Sequence, residues 1–334
     1  MLRLDHYWYS RSLWLLLLTP LSGLFRVVVW LRRHAYRAGL LRSRRIPLPV
    51  IVVGNITAGG TGKTPLVAWL VVHLRERGYT PGIVARGYGG KARSWPQQVR
   101  PDSDPGIVGD EAVLLAQLTG CPMAVAPDRV AAAMALVEYS DCDVLISDDG
   151  LQHYALQRDI EIAVIDGVRR FGTGFMMPAG PLREPVSRLR EVDLVVVNGL
   201  GGAGEFPMKL KSGVLHNLRD DGNTCTLEEF RNRKVHAIAG IGNPERFFMA
   251  LRPQLRQLVT HAFPDHHRFR QSDLLFDDDA PVLMTAKDAV KCRRFASGRE
   301  WYLPVHAELT PAFRTRLDEL LARLATGRSE AAPA

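Results

Sequence analysis

Residues 54–65, GNITAGGTGKTP, crowd glycines around one lysine, and the chemistry served by such spacing is a grip on the phosphates of a nucleotide. Gly59, Gly60 and Gly62 carry no Cβ, so the backbone there can turn its N–H groups inward around phosphate oxygens, with Thr61 between them in the loop. Lys63 would then reach the β- and γ-phosphates of ATP, and Thr64 would set its hydroxyl on Mg²⁺. The helix that follows would aim its positive N-terminal end at the same anion. The usual motif, G-x-x-x-x-G-K-[ST], opens on glycine; here that place is held by Thr57. Mg²⁺ beside a nucleotide also needs one or two carboxylates. Asp148 and Asp149, closing the apolar run DVLISDD, are the candidates, although adjacent aspartates at a strand tip otherwise read as turn or cap residues.

Three further groupings carry polar chemistry. GDEA places Asp110 and Glu111 just before a helical stretch, either as an N-cap or as a carboxylate beside the γ-phosphate that accepts the proton of an attacking hydroxyl. FPDHHRF, residues 263–269, packs Asp265, His266 and His267 together. Adjacent side chains point apart, so at most one histidine serves any one site. A His paired with a carboxylate can hold and tune a base; by spacing alone, a surface loop fits equally well. ARGYGG and PAGPLREP are glycine- and proline-rich loops that carry Arg86 and Arg183. The planar guanidinium suits phosphate, whereas the ordinary use of a single arginine is a solvated surface.

These residues need a scaffold that delivers them to one place. PLPVIVVGN is a short β-branched run entering the glycine loop, as a buried parallel strand does, and residues 66–77 then show helical periodicity up to Gly78. PGIVAR, DVLISDD, IEIAVIDG and DLVVVNG repeat the strand pattern and alternate with helical stretches at 110–118 and 129–138. That alternation predicts an α/β fold, a parallel sheet with helices on both faces. Between 199 and 232 the chain turns polar and glycine-rich, which reads as a connection. VHAIAGIG, residues 244–258, PVLMT, residues 288–295 and residues 311–324 then suggest a second, smaller α/β unit, with a frayed tail after Thr326. The expected organisation is an N-terminal membrane-anchoring helix over 1–34, a phosphate-loop core over 35–200 and a smaller unit over 201–330 that closes the cleft.

At 334 residues and 46% apolar, the chain can bury two cores. Cys121, Cys142, Cys225 and Cys292 form no CxxC pair and no metal-ligand spacing, which excludes a disulfide framework and points to a reducing compartment. A net charge of +8 favours an anionic partner such as phosphate, nucleic acid or an acidic lipid surface. Residues 12–31, SLWLLLLTPLSGLFRVVVWL, are almost continuously apolar and about as long as the ~20 residues that cross a bilayer. Pro20 and Arg26 argue against a comfortable span, while Trp8, Trp14, Trp30, Tyr7 and Tyr9 are rings of the kind that settle at a lipid–water interface. Arg32, Arg33, Arg37, Arg42, Arg44 and Arg45 follow directly, suited to anionic headgroups and to a cytoplasmic flank.

GNITAGGTGKTP, ARGYGG, GDEA, SDDGLQH, PAGPLREP, FPDHH and TAKDAVKC, in this order, resemble the tetraacyldisaccharide 4'-kinase family over most of the chain. The resemblance implies transfer of the ATP γ-phosphate to the 4'-hydroxyl of a tetraacylated glucosamine disaccharide 1-phosphate at the cytoplasmic face of the inner membrane, with no nucleic-acid partner. It implies Asp110 as base with His266 as its partner, and Glu111, Asp148 and Asp149 around Mg²⁺. Arg129, Arg183 and Glu184 match polar positions near the active site, and Arg86 and Tyr88 join them as candidate substrate residues. TAKD, residues 285–288, stands where the family often has TEKD, which leaves the role of that segment open.

Two other classes share parts of the pattern. A membrane-attached switch ATPase of the MinD or ParA kind has a similar loop but a signature lysine where this chain has Ala58, and a GTPase-like regulator would use an element that TAKD distantly resembles. If Lys63 grips the nucleotide, Lys63→Ala should lower kcat by at least about 10²-fold, with an unchanged denaturation midpoint; turnover and chemical unfolding measured on the same sample check both halves.

Overall fold

A strand whose every residue is buried must be covered on both faces, and Val50–Gly54 is such a strand. In the computed structural model, which describes residues 4–9 and 13–329, it lies at the centre of the larger of two sheets. The strands are β1 (Val50–Gly54), β2 (Pro81–Ala85), β3 (Gln97–Gln98), β4 (Met123–Val125), β5 (Val144–Asp148), β6 (Ile160–Asp166), β7 (Leu194–Asn198), β8 (Phe206–Ser212), β9 (Leu215–Asn217), β10 (Thr224–Cys225), β11 (Lys234–Ala239), β12 (Gln257–Ala262), β13 (Val282–Thr285), β14 (Glu300–Leu303) and β15 (Val305–Leu309). The helices are α1 (Thr19–Arg37), α2 (Lys63–Arg75), α3 (Pro105–Val108), α4 (Asp110–Thr119), α5 (Arg129–Tyr139), α6 (Pro244–Leu251), α7 (Ala286–Cys292) and α8 (Pro311–Ser329).

The larger sheet runs β15-β8-β7-β6-β1-β5-β2-β4-β3 and the smaller β10-β9-β14-β13-β11-β12. In the larger sheet β1 pairs in parallel with both β5 and β6, so the strand order reverses at β1. Ligands of open α/β sheets bind beyond the carboxyl ends of the strands at such a switch point. The loops that follow β1, β2, β5 and β7 carry the glycine loop, Arg86, Asp149 and Gly199, so the topology alone gathers them at one edge.

One face of this sheet is covered by α2 and α4, with Leu66, Leu70, Leu74 and Leu115 in a continuous core, and the other by α5 through Ala132, Ala133 and Leu136. The end of the chain departs from the expected boundaries. β8, β15 and α8, all beyond residue 201, belong to the larger sheet, with Leu309, Phe313, Leu317 and Leu321 buried in its core. Periodicity marks α8 as amphipathic but does not say which sheet receives it; the open face beside Trp69 and Phe206, whose rings each lie 5.6 Å from that of Phe313, decides. The chain thus crosses between sheets twice, at 212–215 and 303–305, where Gly213 N donates to Pro304 O at 2.9 Å.

α1 starts at Thr19, with Pro20 in its first turn where a missing N–H costs nothing, so the proline begins the helix rather than breaking a span. Residues 10–12 at the head of the expected apolar stretch, residues 1–3, and residues 330–334 of the expected frayed tail lie outside the described residues. One side of α1 docks on the protein: Ser22 Oγ donates to Met176 O at 2.8 Å, and Phe25 and Val29 pack on Ile56, Met176 and Leu182. Arg33 and Arg37 both pair with Glu191. The other side exposes Leu21, Leu24, Val27, Val28 and Leu31, and Leu17 is exposed just before the helix. The helical stretch 15–37 is long enough, and apolar enough over its first part, to cross a membrane.

Phe313 is fully buried. Phe313→Ala should therefore cost about 3–5 kcal/mol of unfolding free energy, read from the denaturant midpoint at unchanged slope.

Candidate active site

β1 delivers the chain to the glycine loop and α2 takes it away at Lys63. Gly62 caps α2 at φ 100°, and a Cβ there would lie 2.8 Å from Asn198 Nδ2, so both conformation and space require glycine. Gly59, at φ 102°, makes the other left-handed turn. Asn55 Nδ2 donates to Gly59 O at 3.2 Å, and Asn198 Nδ2 to Thr61 O at 3.1 Å, fixing the loop from both sides. No acidic residue stands in the first turn of α2, which leaves its positive end open to an anion. Thr57 behaves differently from expectation: it is buried, pairs antiparallel with Leu182, and does not line the cleft. Ala58 N donates to Pro181 O at 2.7 Å. The backbone at that point is stitched to the 181–182 segment, so a glycine has no special use there.

A cleft of ≈ 1320 Å³ opens in front of the loop, bounded by Gly59–Thr64, Arg86, Tyr88, Glu111, Arg129, Asp148, Asp149, Arg183, His266 and Lys287, and by Phe25, Val28, Val29 and Arg32 of α1. Lys63 Nζ donates to Asn55 Oδ1 at 3.2 Å and lies 3.3 Å from Asp149 Oδ1. Asp149 takes φ 49°, unusual for a residue with a side chain, and Arg183 Nη1 meets its Oδ2 at 3.1 Å. Burial alone would raise the Asp149 pKa, but Lys63 and Arg183 hold it down at about 2. Its neighbour Asp148 makes no such ion pair among the described residues: burial, with Glu111 and Asp149 adding repulsion that Lys63 and Arg129 offset only in part, pushes it up to about 7, and its Oδ1 is buried without a hydrogen bond. Arg129 is buried and donates from Nη2 to Asp149 O at 3.1 Å. Glu184 reaches the cleft edge but is 1% exposed, with its carboxylate bonded to Tyr154 and to Gln152 Nε2.

The second wall comes from the smaller sheet. His266 Nδ1 lies 3.1 Å from Asp110 Oδ2 and 3.2 Å from Oδ1, although 156 residues separate the two in sequence. Gly109, at φ 96°, takes the cap position of α4 without a side-chain cap bond, so Asp110 is the first residue of the helix and its carboxylate turns to the histidine instead. A Cβ at Gly109 would lie 2.5 Å from Tyr88 O, which is how closely the ARGYGG loop abuts this corner. The Tyr88 ring stands 5.0 Å from that of His266. The hydrogen bond that His266 donates to the Asp110 carboxylate raises the His266 pKa; burial works to raise that of Asp110, but His266 and Lys287 bring it below an ordinary aspartate's. His267 turns away to Asp273 at 3.0 Å, as expected for adjacent histidines. In this arrangement His266 and Glu111 face the cleft and Asp110 sits behind them.

Sequence reasoning missed Asn55, Asn198, Lys287 and Lys291. Lys287 Nζ donates to Glu111 Oε1 at 2.9 Å and to Asp265 Oδ1 at 3.3 Å, and Lys291 Nζ is 3.9 Å from Asp110 Oδ2. The lysines of TAKDAVKC carry the signal, a four-residue spacing that stacks them on one helix face. Asp288 of the same segment is fully buried and accepts Gly240 N–H at 3.0 Å, so it is not placed to read a guanine base.

A family model described as tetraacyldisaccharide-1-P 4'-kinase matches residues 14–322. The chain belongs to the tetraacyldisaccharide 4'-kinase family. It is 57% identical over 319 residues to the tetraacyldisaccharide 4'-kinase of Nitrosococcus oceani, covering 96% of this chain and 94% of that one. With the enzyme of the same name from Alkalilimnicola ehrlichii it shares 53% over 308 residues, 92% of each chain. The fold matches the LpxK structure from Aquifex aeolicus solved in complex with ATP, with a TM-score of 0.78, 26% identity, and coverage of 93% of this chain and 99% of that one. Membership of this kinase family excludes the switch ATPase and GTPase-like readings.

Among the described residues no group of three or more His, Cys, Asp or Glu is placed to hold a metal ion by itself. Thr64, Glu111, Asp148 and Asp149 all border the cleft, and a Mg²⁺ ion there would complete its shell with nucleotide oxygens and water. The unpartnered Asp148 carries a testable cost. Its pKa is raised from 3.8 to about 7, so its burial destabilises the fold as pH rises from 3.8 towards 7, and fully above that. Without nucleotide or divalent ion, Asp148→Asn should stabilise the protein at pH 8 by up to roughly 4 kcal/mol, at about 1.4 kcal/mol per pH unit, with the gain gone near pH 4; unfolding free energies at the two pH values check it.

Proposed function

We infer that the chain transfers the γ-phosphate of ATP to the 4'-hydroxyl of a tetraacylated glucosamine disaccharide 1-phosphate, and that it does so in the cleft between the two sheets. The observation that carries this reading is the meeting of a phosphate-binding loop with an Asp–His pair: Lys63 and the loop residues form one wall, and His266, backed by Asp110 at 3.1 Å, stands in the other. Such a pair has no use in a nucleotide-binding switch. It suits an acceptor hydroxyl whose proton must leave as the phosphoryl group arrives.

In this reading Gly59, Gly60, Thr61 and Gly62 hold the phosphate tail, and Lys63 neutralises charge on the transferred group. Mg²⁺, held by the Thr64 hydroxyl and by carboxylates drawn from Glu111, Asp148 and Asp149, would supply further charge neutralisation at the phosphates. Asp148 fits that role, because a buried carboxylate with an unpartnered oxygen gains from a neighbouring cation. Asp149 is committed to Lys63 and Arg183, and it positions both cations. Arg86, Tyr88, Arg129 and Arg183 offer donors to an anionic sugar lipid from the lining of the cleft, whereas Glu184 orders the wall through Tyr154 and Gln152. Asp110 accepts the hydroxyl proton, and His266 orients it. The position of the His266 ring between Asp110 and the cleft favours one variant of this step, in which the proton passes through the ring to the carboxylate.

α1 explains how so apolar a substrate arrives. Each buried CH₂ is worth about 0.8 kcal/mol, so four acyl chains do not leave a bilayer readily and the enzyme must come to them. α1 exposes leucines and valines on one side while Phe25, Val29 and Arg32 line the cleft, so a helix lying in the cytoplasmic surface of the inner membrane would bring the headgroup to the phosphate loop. The smaller sheet then closes the cleft over both substrates.

Incubation with ATP, Mg²⁺ and the disaccharide 1-phosphate should yield a product heavier by one phosphate, attached at the 4' position. Asp110→Ala should lower kcat by about 10²–10⁴-fold with ATP binding retained; near wild-type turnover of that variant would remove Asp110 from the mechanism.

A further inference from the structure

TAKD begins α7 with a reciprocal cap. Asp288 N donates to Thr285 Oγ1 at 3.2 Å, and the Thr285 hydroxyl donates to Asp288 Oδ2 at 2.7 Å, the same oxygen that accepts Gly240 N–H. With its ends so occupied, the segment presents Lys287 to the cleft. The two carboxylates that Lys287 meets are not arbitrary. Glu111, at 2.9 Å, follows Asp110 in the chain; Asp265, at 3.3 Å, precedes His266. Asp265 Oδ1 also accepts the backbone N–H of His266 at 3.0 Å, and His266 sits at φ 56°, a conformation that residues with side chains adopt rarely. One ammonium therefore ties the backbone next to Asp110, on the larger sheet, to the turn that aims His266, on the smaller one. Lys291, one turn further along α7, is 2.8 Å from Asp288 Oδ1 and faces Asp110 from the same side.

We propose that Lys287 is a positioning residue for the phosphotransfer step: by bridging Glu111 and Asp265 it holds His266 against Asp110 across the cleft. This rests on the reading of Asp110 and His266 as the proton-accepting pair. Without the ammonium, Glu111 and Asp265 lose the cation they share, and their repulsion loosens the contact between the two walls beside Asp110, which keeps only His266 and the more distant Lys291. The side chain of Lys287 is 16% exposed, so solvent screens the bridge less than it would a surface pair. Lys287 acts on the rate through the pair and not on the grip of the loop on ATP.

The test is a double-mutant cycle on kcat. Lys287→Gln is expected to lower kcat about 30-fold with the KM for ATP changed less than about threefold, and to cost less than about threefold when His266 is already alanine, because the interaction it supports is then absent. Lys287→Arg keeps the charge and should restore most of the loss. Equal fold-losses in both backgrounds, or a loss carried by the KM for ATP, would overturn the proposal and leave the base assignment standing. A near wild-type kcat for His266→Ala alone would overturn both. If Lys287→Gln does not fold, Lys287→Arg carries the cycle: its smaller loss must also vanish in the His266→Ala background, and persistence there refutes the role.

Discussion

The ammonium of Lys63 stands where three demands meet, and the other charges of the cleft are arranged around it. It must sit at the end of a glycine loop to reach a triphosphate, yet before nucleotide arrives it is held by Asn55 and Asp149. Asp149 stays ionised because it pairs with Lys63 and Arg183, whereas Asp148, one residue away, makes no such pair and its burial carries it towards neutrality. Two aspartates of the same strand end are thus separated in character by burial and by their direct partners.

The opposite wall obeys a different constraint, since it is assembled from a second sheet. Two chain crossings join the sheets, and the seam at the cleft combines polar contacts, Asp110 to His266, Lys287 to Glu111 and Asp265, Arg246 to Asn198, with Ala286 and Val290 of α7 packed on the core of the larger sheet.

The helical stretch that contains α1 is long and apolar enough to cross a membrane, and α1 is also docked on the protein through Ser22, Phe25 and Val29 and shares in the cleft wall. Its exposed leucines therefore keep a fixed position relative to the phosphate loop.

Much of this could be read from the chain. The glycine loop, its strand and its helix are contiguous, and the left-handed turns at Gly59 and Gly62 need glycine for local reasons, so they show in sequence. The buried strands show too, because β-branched runs covered on both faces have few other uses. Asp110 and His266 each showed as a candidate in sequence, but they were joined as a pair only through family resemblance, since they stand 156 positions apart and no local rule joins them. Tertiary structure alone placed β15 and α8 on the larger sheet, hid Thr57 behind a bridge to Leu182, and bound Glu184 into its wall. It alone brought Lys287 between Glu111 and Asp265. Backbone conformation and burial follow from near neighbours and leave a local trace, whereas which charges face each other across a cleft depends on how two sheets dock, and that is written in no single segment.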